Sequence, residues 1–146
     1  MVAWAVIRIK PSSLVYIDTN VFIYFVEGEA ALFHKANALF AHVDQVGARL
    51  ATSEITIAEC LYKPSQMNDK KVISTYEELL ERNREIEKIP LTGELAKRAS
   101  LNGSRIGLKL VDAIHYISAL DAGCDFFATA DNQFKSGPAM TVLPFK

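Results

Sequence analysis

Four acidic side chains stand in segments that are otherwise strongly apolar. They are Asp18, Glu59, Asp112 and Asp131. Carboxylates gathered in one pocket repel each other by about 4 kcal/mol at ~4 Å and an effective dielectric near 20, so they require protons or a cation. An all-oxygen set suits Mg²⁺ or Mn²⁺. Such an ion activates water and neutralises charge on a phosphate, which is the chemistry of phosphodiester hydrolysis.

Each acid also has a simpler structural explanation. Asp18 could cap the helix that follows it. The sequence from Thr56 to Glu59 has the spacing of a capping box, in which Glu59 would bond the backbone of Thr56. Asp112 could favour a helix N-terminus through the helix dipole, and Asp131 could be a turn residue. Spacing alone therefore leaves both interpretations of each acid open.

Short apolar runs alternate with helical periodicities along the chain. The predicted strands are 14–17, 49–53, 86–89, 125–129 and 141–143. The predicted helices are 21–26 (capped by Asn20), 29–46, 56–62 (stopped by Pro64), 70–82, 92–101, 110–120 and 132–135, with a break at 102–104. This alternation predicts an α/β fold with a mainly parallel, Rossmann-like central sheet that is flanked by helices on both faces.

The position of the acids within these elements favours a shared site. Asp18 follows the first strand directly, and Asp131 follows the fourth. Open parallel sheets bind ligands outside the carboxyl ends of their strands, where the strand order reverses. We therefore expect these two carboxylates to meet at that edge.

The composition is that of a globular domain without extreme charge. The 146 residues are 50% hydrophobic, and 16 basic residues nearly balance 17 acidic ones. We expect a single domain over 1–146, with 1–13 as an N-terminal extension that includes an edge strand. Cys60 and Cys124 lie far apart in apolar runs, which favours free buried thiols in the cytoplasm over a disulfide or zinc site. No apolar run is long enough to span a membrane.

Four motifs occur in an order that resembles the PIN-domain nucleases. They are Val15–Tyr24, Ser53–Glu59, Leu110–His115 and Thr129–Phe134, and together they cover nearly the whole chain after Ser13. The small size, with no appended domain, resembles the VapC toxins of VapBC toxin–antitoxin pairs.

This resemblance implies a PIN-like fold and an Mg²⁺- or Mn²⁺-dependent endoribonuclease. The four acids match the family's catalytic and metal-binding positions. Asn20 and Thr129 match polar positions that support the first and fourth acids. The resemblance also implies an RNA substrate, a homodimer, and an antitoxin that often inserts an arginine into the acidic pocket. The alternative that it leaves open is a catalytically inactive PIN-like module that binds RNA or protein.

A few neighbouring residues compete for roles at this site. Glu54 competes with Glu59 for the second acid, although a solvated turn position suits Glu54 better. His115 shares a helix face with Asp112, and a core or supporting role is favoured over metal ligation. Arg105 and Lys109 flank the approach to Asp112 and either contact RNA phosphates or lie in a solvated loop.

Two other acid-dependent α/β classes fit poorly. A haloacid-dehalogenase-like phosphatase requires a second aspartate where Asn20 stands. A response-regulator receiver requires a lysine after a late strand, and the sequence has none in that place.

Overall fold

The computed structural model describes residues 9–145. The edge strand predicted within the N-terminal extension falls almost entirely outside that range. The strands are β1 (Leu14–Ile17), β2 (Arg49–Ser53), β3 (Ile86–Ile89), β4 (Phe126–Thr129) and β5 (Thr141–Pro144). The helices are α1 (Thr19–Glu27), α2 (Ala30–Val46), α3 (Glu54–Gln66), α4 (Lys70–Tyr76), α5 (Gly93–Arg105) and α6 (Leu110–Asp121), and α4 continues as a π-helical segment, Glu77–Arg82.

The five strands of residues 9–145 form one sheet in the order β3-β2-β1-β4-β5, and all four pairings are parallel. This confirms the predicted α/β class. The chain builds the sheet from β1 towards β3 and then returns to the other side of β1 with β4. The order therefore reverses between β1 and β4, where a crevice at the carboxyl ends is expected.

Alternate residues of β1 supply the cores on the two faces of the sheet. Val15 and Ile17 pack in a cluster with Leu39 and Val43 of α2. Tyr16 faces the opposite way, in a cluster with Phe127 and with Ala119 of α6. Helices therefore cover both faces, and β1 is buried along its whole length, as the apolar run predicted.

One predicted break, at 102–104, is wrong because α5 runs through it to Arg105. Gly103 is buried inside this helix, and a Cβ atom placed on it would lie 2.2 Å from Cβ of Ala113 in α6. Glycine here permits close contact between two helices and does not end the first one. By contrast, Gly47 ends α2 as predicted, in the left-handed conformation with φ of 75°.

Three smaller predictions are also wrong. Pro64 does not stop α3, which ends two residues later at Gln66, so the proline occupies the last turn. The segment 132–135 forms a turn and irregular backbone in place of a helix. The cap of α1 is Asp18 and not Asn20, which lies inside the helix.

No helix in the described part of the chain is both long and apolar enough to cross a membrane.

Candidate active site

Asp18 occupies the carboxyl end of β1, and both of its oxygens are engaged. Oδ1 accepts a 2.8 Å bond from the backbone N–H of Thr19, which makes Asp18 the cap of α1. Oδ2 accepts bonds from Oγ1 of Thr129 at 2.7 Å and from Nδ2 of Asn20 at 3.2 Å. The side chain is buried, and burial raises its pKa even though His115, Thr129 and the backbone N–H of Thr19 act to lower it. Asp18 is therefore both a helix cap and a buried carboxylate.

Asp131 follows β4, which pairs with β1 so that Ile17 lies opposite Ala128. Its backbone N–H donates to Oγ1 of Thr129 at 3.0 Å, so Thr129 connects the two acids. Oδ1 of Asp131 accepts from the backbone N–H of Gln133 at 2.9 Å, which is the turn contact that the sequence allowed. Asp131 is only partly buried.

Asp112 lies in the first turn of α6 and is partly exposed. Its pKa is raised, first by burial and then by the charges of Asp131, Asp18 and Glu59. Asp112 is therefore within electrostatic range of the other three predicted acids. The four acids come from β1, α3, α6 and the end of β4.

Glu59 does not form the capping box that its spacing from Thr56 allowed. The cap of α3 is Ser53, and Thr56 lies inside the helix, where it bonds Oγ1 of Thr52 at 2.7 Å. Oε1 of Glu59 instead accepts bonds from Oγ1 of Thr19 and Nε2 of His115, each at 2.7 Å. Burial acts to raise the pKa of Glu59, but these two hydrogen bonds outweigh it and the pKa is lowered.

Glu54 is directed elsewhere. It is exposed at the start of α3, and Oε1 accepts from the backbone N–H of Leu91 at 2.9 Å. That contact joins α3 to the segment after β3. Of the two competing acids, Glu59 is the one that the fold brings to the cluster.

His115 is buried in the centre of this network. Nδ1 lies 2.6 Å from the Tyr16 hydroxyl, and Nε2 lies 2.7 Å from Glu59 and 3.7 Å from Oδ1 of Asp18. The sequence analysis favoured a supporting role for His115 but missed Tyr16 and Thr19. Tyr16 left a signal, because it is the one residue with a polar group within the apolar run 14–17.

The remaining predicted residues lie around the cluster. Asn20 reaches across to β4, where its side-chain oxygen accepts from the backbone N–H of Ala130 at 3.2 Å. Arg105 ends α5 and Lys109 is the cap of α6, and both are exposed on the connection that leads to Asp112.

Comparison with known families decides the classification. The sequence model of the PIN domain matches residues 15–138 of this chain. The chain belongs to the PIN-domain family. No curated protein matches the sequence closely enough to extend this assignment.

Solved structures share the fold of this PIN domain at low sequence identity. Mycobacterium tuberculosis VapC20, described as a sarcin–ricin loop cleaving toxin, has a TM-score of 0.72 at 16% identity and covers 89% of this chain and 99% of its own. A chain of VapBC2 from Rickettsia felis, bound to a promoter DNA fragment, has a TM-score of 0.70 at 15% identity, over 91% and 99%. A toxin–antitoxin complex from Klebsiella pneumoniae gives 0.65 at 21%, over 89% and 96%.

The acids of this PIN domain fit a hard divalent ion by donor chemistry. All four side chains offer oxygen ligands. The charges of the neighbouring acids help raise the pKa of Asp112, and a bound cation would relieve this repulsion. Within residues 9–145, however, no three His, Cys, Asp or Glu side chains already stand close enough to form a metal-binding group. Side chains such as Asp112 and Asp131, which are only partly buried, would have to close around an ion.

Proposed function

We propose that this PIN domain is an Mg²⁺- or Mn²⁺-dependent endoribonuclease, the toxin of a VapBC-type pair. The observation that carries the proposal is the bridge that the Thr129 hydroxyl makes between Asp18 and the backbone of Asp131 at the point where the strand order reverses. Asp112 lies within electrostatic range of these two acids and of Glu59. Family membership supports it, as do neighbours that include a named RNA-cleaving toxin and toxin–antitoxin complexes. The proposed location is the cytoplasm, where its two buried free thiols would stay reduced.

The proposed mechanism assigns a task to each group. Asp18, Asp112 and Asp131 would hold the cation, and Glu59 would complete its shell or orient a water. When bound, the ion supplies charge neutralisation at the phosphate and a more acidic water. Thr129 and Asn20 fix the orientation of Asp18 through their hydrogen bonds. Arg105 and Lys109, exposed before α6, would contact RNA phosphates.

The partners proposed are an RNA substrate, an antitoxin and a second copy of the chain. A cluster of carboxylates is complementary to an arginine supplied by an antitoxin. Large exposed apolar side chains at the end of α5 and the start of α6 suit self-association: Leu101, Ile106 and Leu110 are each more than half exposed.

The test is cleavage of defined RNAs, including a sarcin–ricin loop oligonucleotide and transfer RNA, with Mg²⁺, with Mn²⁺ and with EDTA. The Asp18→Asn/Asp112→Asn protein should lose more than about a hundredfold in rate, because several kcal/mol of charge stabilisation disappear. Asp44→Asn, at an exposed position on α2, is the matched control and should keep full activity. Full activity in the double variant would overturn the assignment.

One observation favours a second candidate, a catalytically inactive PIN-like module that binds RNA or protein. It is the absence of a ready-made three-residue metal group among the described side chains. This candidate would be favoured if the wild-type protein cleaved none of the RNAs and millimolar Mn²⁺ left its melting temperature unchanged.

A further inference from the structure

A continuous chain of hydrogen bonds joins three elements, from Tyr16 of β1 through His115 of α6 to Glu59 of α3. The Tyr16 hydroxyl lies 2.6 Å from Nδ1 of His115, and Nε2 of the same ring lies 2.7 Å from Oε1 of Glu59. The Tyr16 and His115 side chains are buried, at 0% and 1% exposure. No water can therefore replace either partner without repacking of the core.

The chemistry of the partners sets the direction of these bonds. A carboxylate can only accept, so Nε2 of His115 must carry the hydrogen that points to Glu59. A phenol has an ordinary pKa of about 10, so the Tyr16 hydroxyl keeps its hydrogen at neutral pH and can donate it. In the tautomer that carries its hydrogen on Nε2, Nδ1 accepts from the Tyr16 hydroxyl.

The two ends of this chain differ in how firmly they are held. Tyr16 is fixed in the central strand, and its ring stacks on Phe127 with centroids 5.0 Å apart and planes 3° from parallel. The Glu59 side chain is 35% exposed and has three rotatable bonds. A glutamate in that position would explore solvent unless donors held it, and Thr19 and His115 both bond the same oxygen, Oε1.

We propose that Tyr16 and His115 are positioning residues, with Tyr16 fixing the His115 ring as an Nε2–H donor that holds Glu59 at the acid cluster. This inference rests on the proposed function where it concerns the task of Glu59. The hydrogen-bond relay itself is a property of the metal-free protein. Partners that orient metal-binding side chains in this way typically change metal affinity or activity by about 10–100-fold.

The first experiment measures the relay without metal. Long-range ¹H–¹⁵N spectra of ¹⁵N-histidine protein should show His115 with a protonated Nε2 and an unprotonated Nδ1. The Tyr16→Phe variant should change this pattern. Tyr76→Phe is the matched control, since Tyr76 is equally buried and its hydroxyl bonds Glu27, outside the acid cluster. A protonated Nδ1 in the wild type, or an unchanged pattern in Tyr16→Phe, would overturn the proposal.

The second experiment measures Mn²⁺ binding by calorimetry and RNA cleavage by initial rates. Tyr16→Phe should weaken Mn²⁺ binding about three- to tenfold, and His115→Leu about tenfold or more, while Tyr76→Phe leaves it unchanged. His115→Gln should restore part of the loss, because its amide can donate to Glu59. In cleavage the loss should fall on kcat more than on KM.

The outcomes separate the two proposals. Wild-type protein that neither binds Mn²⁺ nor cleaves RNA would end the nuclease assignment, and the spectra would still decide whether the relay exists. Equal Mn²⁺ affinities in Tyr16→Phe and Tyr76→Phe, with the wild type active, would end the positioning role alone.

Discussion

The Thr129 hydroxyl donates a 2.7 Å hydrogen bond to Oδ2 of Asp18, across 111 residues of sequence. The same hydroxyl accepts the backbone N–H of Asp131. One buried oxygen atom therefore orients the first acid and the backbone of the last.

Replacing Thr129 with Val should destabilise the protein by about 1.5–3 kcal/mol, the range for a hydrogen bond to a charged group. Thr129→Ser keeps the hydroxyl and should lose much less. Urea denaturation measures both. The control is Thr75→Val, whose hydroxyl donates to Lys71 at an exposed site; its effect should stay within about 0.5 kcal/mol. Equal losses in the two Val variants would contradict the role assigned to Thr129.

The acid cluster predicts an unusual pH dependence for the metal-free protein. The pKa values of Asp18 and Asp112 are raised from 3.8, so their contribution to stability is complete below that pH and is lost as the pH rises through their folded values. The lowered pKa of Glu59 acts oppositely, but only as the pH falls from 4.5. Above about pH 4.5 the effect of the two aspartates should therefore dominate within the cluster.

In EDTA, the free energy of unfolding should accordingly fall as the pH is raised from 4.5 to 7.5, because both aspartates have raised pKa values. The Asp18→Asn/Asp112→Asn variant should reduce this decrease, and Mg²⁺ should restore stability to the wild type at pH 7.5 by binding only the folded state. If wild type and variant change in parallel between these pH values, the predicted repulsion does not exist.

The contact between Gly103 and Ala113 predicts a sharp difference between two glycine substitutions. Gly103→Ala should destabilise by about 1–3 kcal/mol through overpacking, although alanine favours a helix by itself. It should also weaken Mn²⁺ binding, because Ala113 follows Asp112 directly. Gly93→Ala is the control in the same helix, since a Cβ atom there meets nothing within 4 Å. Its stability should be unchanged or slightly higher, and a harmless Gly103→Ala would refute the close approach of α5 and α6.

The two cysteines should be unreactive while the protein is folded. Cys60 and Cys124 are each 2% exposed, and burial raises the pKa of both thiols, that of Cys124 to about 12. The thiolate is the reactive form, so a disulfide reagent should titrate almost nothing in native protein at pH 8. After denaturation it should titrate both thiols. Rapid modification of the folded protein would show that one of them is accessible.

Much of the fold followed from local patterns, and the outcomes show where these patterns fail. The apolar run 14–17 and the acid after it predicted a buried parallel strand with Asp18 at its carboxyl end. This was possible because a strand that is buried on both faces is a continuous apolar run in its own sequence. Gly103 looked like a break because glycine usually disfavours helices. Glycine is required at this position by the close approach of Ala113, which lies on another helix ten residues further along the chain.

The supporting residues of the site were harder to predict for the same reason. The sequence from Thr56 to Glu59 satisfied a local capping pattern, yet both side chains found partners in other elements. The hydrogen bond between Tyr16 and His115 joins residues that are 99 positions apart, so no local sequence pattern predicts it. Periodicity places acids at the ends of elements, whereas a network between elements depends on the strand order.

The place of β1 in the sheet also governs when the site can form. Tyr16 pairs with Ala51 on one side and with Phe127 on the other, so the central strand keeps an open edge until β4 has been synthesised. Such distant pairings slow folding, because the entropy cost of closing a long loop comes before the strands make their stabilising contacts. On the ribosome, Asp18 emerges long before Thr129 and Asp131, so the nascent chain cannot complete the acid pocket until β4 and Asp131 have been synthesised.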